Sequence, residues 1–234
     1  MKKILFTLAL LVSFSSFGQT TEEYFERAYD KANSKDYYGA ISDYTKVIEL
    51  QPINANAYHN RGYSKQNLGD YNGAINDFNK AIELDPAAAA YYFARGDSKR
   101  GLSDDYGAIS DYTKAIELNP NYTLAYYNRG MLKGYLNDYN GAVADYNKLI
   151  EIDPNDSGAY TNRSYYKKQL KDYYGSISDG VRALELNPNE VNAYINIGTS
   201  KKQLGDLNGA CAAWKKAAAL GHKNAAKWVE SECY

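Results

Sequence analysis

The sequence predicts an all-α solenoid, and three observations carry that prediction. All five prolines, Pro52, Pro86, Pro120, Pro154 and Pro188, fall 34 residues apart. Tyrosine recurs at the same period, at Tyr24, Tyr58, Tyr92, Tyr126, Tyr160 and Tyr194. Small residues keep step with them, at Ala28, Gly62, Gly96, Gly130, Ser164 and Gly198 and again at Ala40, Ala74, Ala108, Ala142, Ser176 and Ala210. A fixed period of this length marks one supersecondary unit copied in tandem, each copy burying its apolar face on its neighbours.

With each proline placed at position 32, six units tile the chain without insertion: 21–54, 55–88, 89–122, 123–156, 157–190 and 191–224. The tyrosines at position 4 and the small residues at position 8 belong to a first helix. Position 20 is again small, and position 24 carries a ring in Tyr44, Phe78, Tyr112, Tyr146 and Trp214, which marks a second helix. Small residues let the two helices approach, and the rings fill the space where pairs stack. Unit five departs from the pattern: Ser164 and Ser176 add bulk at the contact positions, and Gly180 replaces the ring. This predicts a gap and a weak unit unless Tyr166 or Tyr174 fills it. After unit six, Gly221-His222 reads as a turn. Lys223 to Glu232 reads as an amphipathic capping helix, whose end occupies 225–234, with Ala225, Ala226, Trp228 and Val229 toward the stack.

The run from Asn60-Arg61-Gly62 through Gly69-Asp70-Tyr71-Asn72-Gly73-Ala74 to Ala81-Ile82-Glu83-Leu84-Asp85-Pro86 resembles the tetratricopeptide repeat. The resemblance spans nearly all of the chain after residue 18, and several columns agree at one spacing. It implies a right-handed αα superhelix of six helical hairpins that binds other polypeptides in a concave groove. The groove positions it implies are 2, 5, 6, 9, 12 and 13 of each unit.

Ahead of the units, Met1 to Gly18 has Lys2 and Lys3, an apolar run from Ile4 to Val12, and then the small residues Ser16 and Gly18. This pattern predicts a cleaved signal peptide over 1–18 and a periplasmic or secreted protein with no membrane insertion after cleavage. Cleavage removes two lysines and moves the formal net charge from -1 to -3. No basic stripe is present to neutralise phosphates, which argues against nucleic acid as a partner. The two cysteines, Cys211 and Cys233, each stand 11 residues from His222. If their helices run antiparallel about that turn, a disulfide is feasible; the alternative is a buried Cys211 thiol and an exposed Cys233.

No constellation of nucleophile, base or metal ligand emerges. His59 and His222 are the two histidines and lie far apart in the array, and no phosphate loop or zinc-type cysteine spacing occurs. The expectation is a non-enzymatic protein with no cofactor and no metal. Arginine at position 7 (Arg27, Arg61, Arg95, Arg129, Arg163) and aspartate at position 23 (Asp43, Asp77, Asp111, Asp145, Asp179) vanish together in unit six, as Ile197 and Ala213. Joint loss points to a charge pair across the hairpin, in preference to an anion-binding ladder of arginines.

The candidate groove is rich in asparagine and aromatic residues: Asn60, Tyr63, Phe93, Tyr127, Asn128, Asn162, Tyr165 and Asn196. An asparagine amide offers donor and acceptor together, which suits an extended peptide backbone, and tyrosine supplies contact area with a polar tip. The lysine of a carboxylate clamp is absent, since position 2 reads Glu22, Asn56, Ala90, Leu124, Gly158, Asn192. The sequence therefore points to a scaffold for a protein or peptide partner. The alternative is an envelope glycan binder that uses the same tyrosines and asparagines.

Overall fold

The computed structural model describes residues 20–233; the expected signal peptide over 1–18 lies outside them. Among the described residues the chain is helical and contains no strand. Six hairpins follow one another: α1 (Thr21–Asn33) with α2 (Tyr37–Leu50), α3 (Ala55–Asn67) with α4 (Tyr71–Leu84), α5 (Ala89–Gly101) with α6 (Asp105–Leu118), α7 (Thr123–Tyr135) with α8 (Tyr139–Ile152), α9 (Ser157–Gln169) with α10 (Tyr173–Leu186), and α11 (Val191–Gln203) with α12 (Leu207–Ala219). A last helix, α13 (Lys223–Glu232), packs on α12. We number the hairpins as repeats one to six. Each helix packs on the next, and first helices of neighbouring repeats also touch, as α1 with α3, α3 with α5 and α9 with α11. Contact stays between neighbours, so the stack is an all-α superhelix with a quasi-linear core.

The turn inside each hairpin follows from three residues. Asp36, Asp70, Asp104, Asp138, Asp172 and Asp206 cap the second helices, each carboxylate accepting from the backbone N–H of the glycine three residues on. A Cβ on that glycine would overlap the carboxylate oxygen, which is why Gly39, Gly73 and their counterparts recur. The residue before each aspartate adopts a left-handed backbone, with φ between 62° and 83° at Lys35, Gly69, Ser103, Asn137, Lys171 and Gly205.

Inside the hairpin, the ring at position 24 lies over the small residue at position 8. A Cβ on Gly62 would come within 2.8 Å of the Phe78 ring, and one on Gly96 within 2.9 Å of Tyr112. Beside this apolar contact runs a polar one. In repeat four, Arg129 donates from Nε to Asp145 Oδ2 (3.0 Å) and from Nη2 to Oδ1 (2.6 Å). The same fork joins Arg27 to Asp43, Arg61 to Asp77, Arg95 to Asp111 and Arg163 to Asp179. A lysine at position 11 completes it: Lys31, Lys65, Lys99, Lys133 and Lys167 approach the same aspartates at 2.7–2.9 Å. From repeat two onward, arginine Nη1 reaches back to the preceding repeat, to Thr45, Asn79, Thr113 and Asn147. Each of the five guanidiniums also lies over the position-4 tyrosine of its own repeat, 4.9–5.6 Å from the ring centroid. The arginines are thus engaged on every side within the fold, which rules against an anion ladder.

Repeats five and six correct one expectation. The space left by Gly180 is filled by Ile197, whose Cγ1 stands 2.7 Å from where a Cβ on Gly180 would be. Tyr166 stacks instead on Tyr146, with centroids 5.6 Å apart, and Tyr174 points to solvent. The residue that ends the arginine column is therefore the one that replaces the missing ring. Ser164 and Ser176 do not strain the contact either. The Ser164 hydroxyl donates to the Ser176 carbonyl (2.7 Å), and Ser200 donates to the Ser176 hydroxyl (2.9 Å), all three side chains being buried. Lys201, which has no aspartate at position 23 to meet, pairs with the capping Asp206 at 3.4 Å.

At the C-terminal end, a disulfide joins Cys211 to Cys233 with their Cα atoms 5.7 Å apart. Trp228 of α13 covers Trp214 at 5.4 Å, and Glu232 pairs with Lys202 at 2.5 Å. The final helix thereby closes the face left open by repeat six.

Truncating Ile197→Ala is expected to open a cavity beside Gly180 and lower stability by about 2–4 kcal/mol in a urea titration. Amide exchange in α10 should quicken in parallel. A loss under about 0.5 kcal/mol would show that Ile197 is not the residue filling that space.

Candidate functional site: the concave groove

The first helices α1, α3 and α5 place side chains at positions 5, 6, 9, 12 and 13 along one face. Over repeats one to three this face is hollowed into a chain of cavities. At the N-terminal mouth, Glu22, Phe25, Glu26 and Asn56 line about 250 Å³, and Phe25, Glu26, Tyr29 and Asp30 line an adjoining 460 Å³. Tyr29 then leads into a cavity of about 380 Å³ that also borders Ala32, Lys35, Tyr37, His59, Asn60 and Tyr63. Tyr63 in turn forms the wall of a cavity of about 580 Å³ between repeats two and three, lined by Gln66, Asn67, Tyr71, Asp97 and Arg100. Neighbouring cavities have Phe25, Tyr29 and Tyr63 as common walls, so they follow one another in a row along the face, a segmented trough. Tyr29 and Tyr63 are 54% and 50% exposed, so their rings are open to a ligand.

The sequence-derived groove residues fall into two groups. Tyr63, Tyr127 and Tyr165 are exposed, with Tyr127 edge-on to Tyr146 at 5.9 Å and Tyr165 under Lys168 Nζ at 4.8 Å. Asn60 lines the trough, and Asn162 is half-buried with no side-chain hydrogen bond among the described residues. The others are engaged by the fold. Phe93 lies between Tyr112 (5.6 Å) and Tyr122 (4.9 Å). Asn128 donates to Asp97 Oδ1 at 3.0 Å. Asn196 is 3% exposed, donates to the Thr161 carbonyl and accepts from Lys168 Nζ, both at 3.1 Å, so each end of its amide is used to join repeats five and six.

Charge along the face is uneven. Glu22 and Glu26 are exposed and make no ion pair among the described residues. At the far end Lys202 is held by Glu232, and Lys168 donates to Asn196 and lies over the Tyr165 ring. The cavities over repeats one to three are lined by Glu22, Glu26, Asp30 and Asp97 against Lys35 and Arg100, an excess of acidic groups.

Asp97 is the residue that the sequence reading passed over. It occupies position 9, where repeats one, two and five carry Tyr29, Tyr63 and Tyr165. Repeats four and six carry Met131 and Thr199 there, so Asp97 is the one charged residue at this position, and that is the signal that marks it. Its Oδ1 accepts from the Tyr112 hydroxyl at 2.6 Å as well as from Asn128. Burial raises its pKa, against the hydrogen bond from Tyr112, the charge of Arg100 and the hydrogen bond from Asn128. No group of three or more residues suited to hold a metal occurs among the described residues.

Family models described as tetratricopeptide repeat match residues 55–87 and 123–156, and a second model of that description matches 89–122. Solved structures share the architecture. The crystal structure of YrrB, described as a TPR protein with an unusual peptide-binding site, superposes with a TM-score of 0.72 at 20% identity, covering 80% of this chain and 97% of that one. A tetratricopeptide repeat protein from Parabacteroides merdae gives 0.66 at 19% identity, covering 93% and 100%. MamA from Desulfovibrio magneticus RS-1 gives 0.66 at 19%, covering 71% and 94%. No curated protein matches the sequence. At these identities the likeness establishes the fold alone.

One trough residue yields a pH prediction. His59 lies on Tyr91 (4.9 Å) and Phe78 (5.5 Å), its Nδ1 is buried without a hydrogen-bond partner, and burial lowers its pKa from 6.5 to about 4. The unfolded chain therefore binds this proton first. The stability carried by the neutral ring is present above pH 6.5 and is lost as pH falls from there toward 4. Replacing it by the residue of the flanking repeats, His59→Phe, should flatten that part of the stability profile in denaturant titrations at stepped pH. An unchanged slope would mean that the ring is charged in the fold.

Proposed function

The chain belongs to the tetratricopeptide-repeat family, and we propose that it works as a non-enzymatic scaffold, holding an extended peptide or a partner domain in its concave groove. The observation that carries this reading is the contrast between two sets of polar groups. The arginines, lysines and aspartates of the repeat columns are tied to one another, whereas Tyr29, Tyr63, Glu22 and Glu26 line a row of adjoining cavities and are exposed. A trough of shared cavities suits a chain-like ligand better than a compact small molecule, because successive side chains can enter successive hollows. The peptide-binding site attributed to YrrB supports the reading by analogy of fold.

We also propose that the protein is periplasmic or secreted. The basic-then-apolar segment at its start and the disulfide between Cys211 and Cys233 support that placement, since such bonds persist in oxidising compartments. No helix among the described residues is long and apolar enough to cross a membrane.

Affinity capture from envelope extract tests the reading. The native chain should retain protein partners that a Tyr29→Ala, Tyr63→Ala variant loses, while the two proteins melt alike, since both rings are half exposed. Recovery of polysaccharide alone would favour the glycan reading of the same tyrosines. Equal retention by the two proteins would move the binding surface away from the trough.

A further inference from the structure

We propose that the cavity between repeats two and three is a subsite for a lysine or arginine side chain of the bound peptide, with Asp97 as its counter-charge. The inference rests on the groove reading above and adds the chemistry of one position within it.

Asp97 is treated differently from the buried aspartates of the repeat column. Asp43, Asp77, Asp111, Asp145 and Asp179 are each gripped by an arginine at 2.6 Å and a lysine at 2.7–2.9 Å. Asp97, with a side chain 20% exposed, has no such grip. Its nearest cation, Arg100 Nη2, stands 3.7 Å from Oδ1, outside hydrogen-bond range, on a side chain 41% exposed. The neutral donors Tyr112 and Asn128 both bond Oδ1 as well. Both hydrogen bonds therefore fall on one oxygen. Oδ2 accepts no hydrogen bond among the described residues, and Asp97 lines the 580 Å³ cavity. An ionised carboxylate so desolvated gains most from a cation brought to its free side.

The surroundings favour the same sign. Among the residues lining the four cavities of the trough, Glu22, Glu26, Asp30 and Asp97 face only two cations, Lys35 and Arg100. Tyr63 and Tyr71 form walls of the Asp97 cavity, and their rings offer negative faces to a cationic side chain. Tyr71 is set there by the fold, because it lies against Gly101, where a Cβ would come within 2.6 Å of its ring. Tyr112 and Asn128, from α6 and α7, fix the carboxylate from below, so the charge is held in place before a ligand arrives.

The test uses a displayed library of random nine-residue peptides selected on the full chain, on Asp97→Asn and on Gln66→Lys. The amide introduced by Asp97→Asn keeps an oxygen for Tyr112. Gln66→Lys puts a positive charge into the same cavity without altering the Asp97 cluster, so the second variant serves if the first folds poorly. Peptides selected on the native chain should carry lysine or arginine at one fixed position. Replacing that residue by norleucine or citrulline should weaken binding by on the order of tenfold. Both variants should still select peptides, without the basic preference. Selected peptides that lack a fixed basic residue, or carry an acidic one there, would overturn this subsite and leave the groove reading intact. Failure of the native chain to select any peptide would overturn the groove reading, and the subsite with it.

Discussion

Each hairpin from one to five is closed by a single polar contact, the arginine fork on a buried aspartate, and the stack depends on it. An aspartate buried between two helices is costly unless its charge is matched and its lone pairs are filled. Here an arginine fills both oxygens and a lysine one turn further along the first helix adds a second cation. The arginine then uses its remaining nitrogen on the preceding repeat and its face on a tyrosine. One side chain thus fixes the helix pair, the spacing to the next pair and the seat of an aromatic ring. Where the contact ends, at repeat six, apolar packing takes over: Ile197 fills the hollow over Gly180, and α13, the tryptophan pair and the disulfide hold the terminus.

This division of labour shapes the functional face. Charges that close the hairpins are neutralised inside the fold and have little left to offer a partner. What the first helices present over repeats one to three is different in kind: half-exposed tyrosines, glutamates with no ion pair among the described residues, and a carboxylate at position 9 that stands outside the clamp system. Over repeats five and six Tyr165 stays exposed, but the polar groups of Asn196, Lys168 and Lys202 are all bound to protein groups. The difference between the two ends follows from which residues the repeats do not share.

Much of the architecture was legible because it is periodic. The helix pairs, the rings over small residues and the pairing of positions 7 and 23 all follow from columns at one spacing, and the last helix follows from its apolar face. The parts that were not legible depend on contacts between repeats or on single departures. The lysine at position 11 forms a column in its own right, yet nothing in its spacing says that it shares an aspartate. Thr45, Asn79, Thr113 and Asn147 alternate at a two-repeat period, and that alternation acquires meaning only when the arginine of the next repeat is seen to donate to them. Asn196 matches Asn60 and Asn162 in sequence but differs from them in burial, because Lys168 reaches it from the repeat before. Asp97 was visible as the one charged residue at position 9, and its significance lies in the arginine and lysine clamp that the position-23 aspartates have and it does not.

The central claim is that the arginine and aspartate act as one unit, and a double-mutant cycle in repeat four measures this directly. Arg129→Ala, Asp145→Ala and the double variant would be compared by urea unfolding at neutral pH. If the clamp is a unit, removing Asp145 leaves Arg129 and Lys133 without their counter-charge, and the double variant loses less than the two single losses combined, by about 0.5–3 kcal/mol. Strictly additive losses would contradict the account, since they would mean that the two residues stabilise the hairpin independently of their contact.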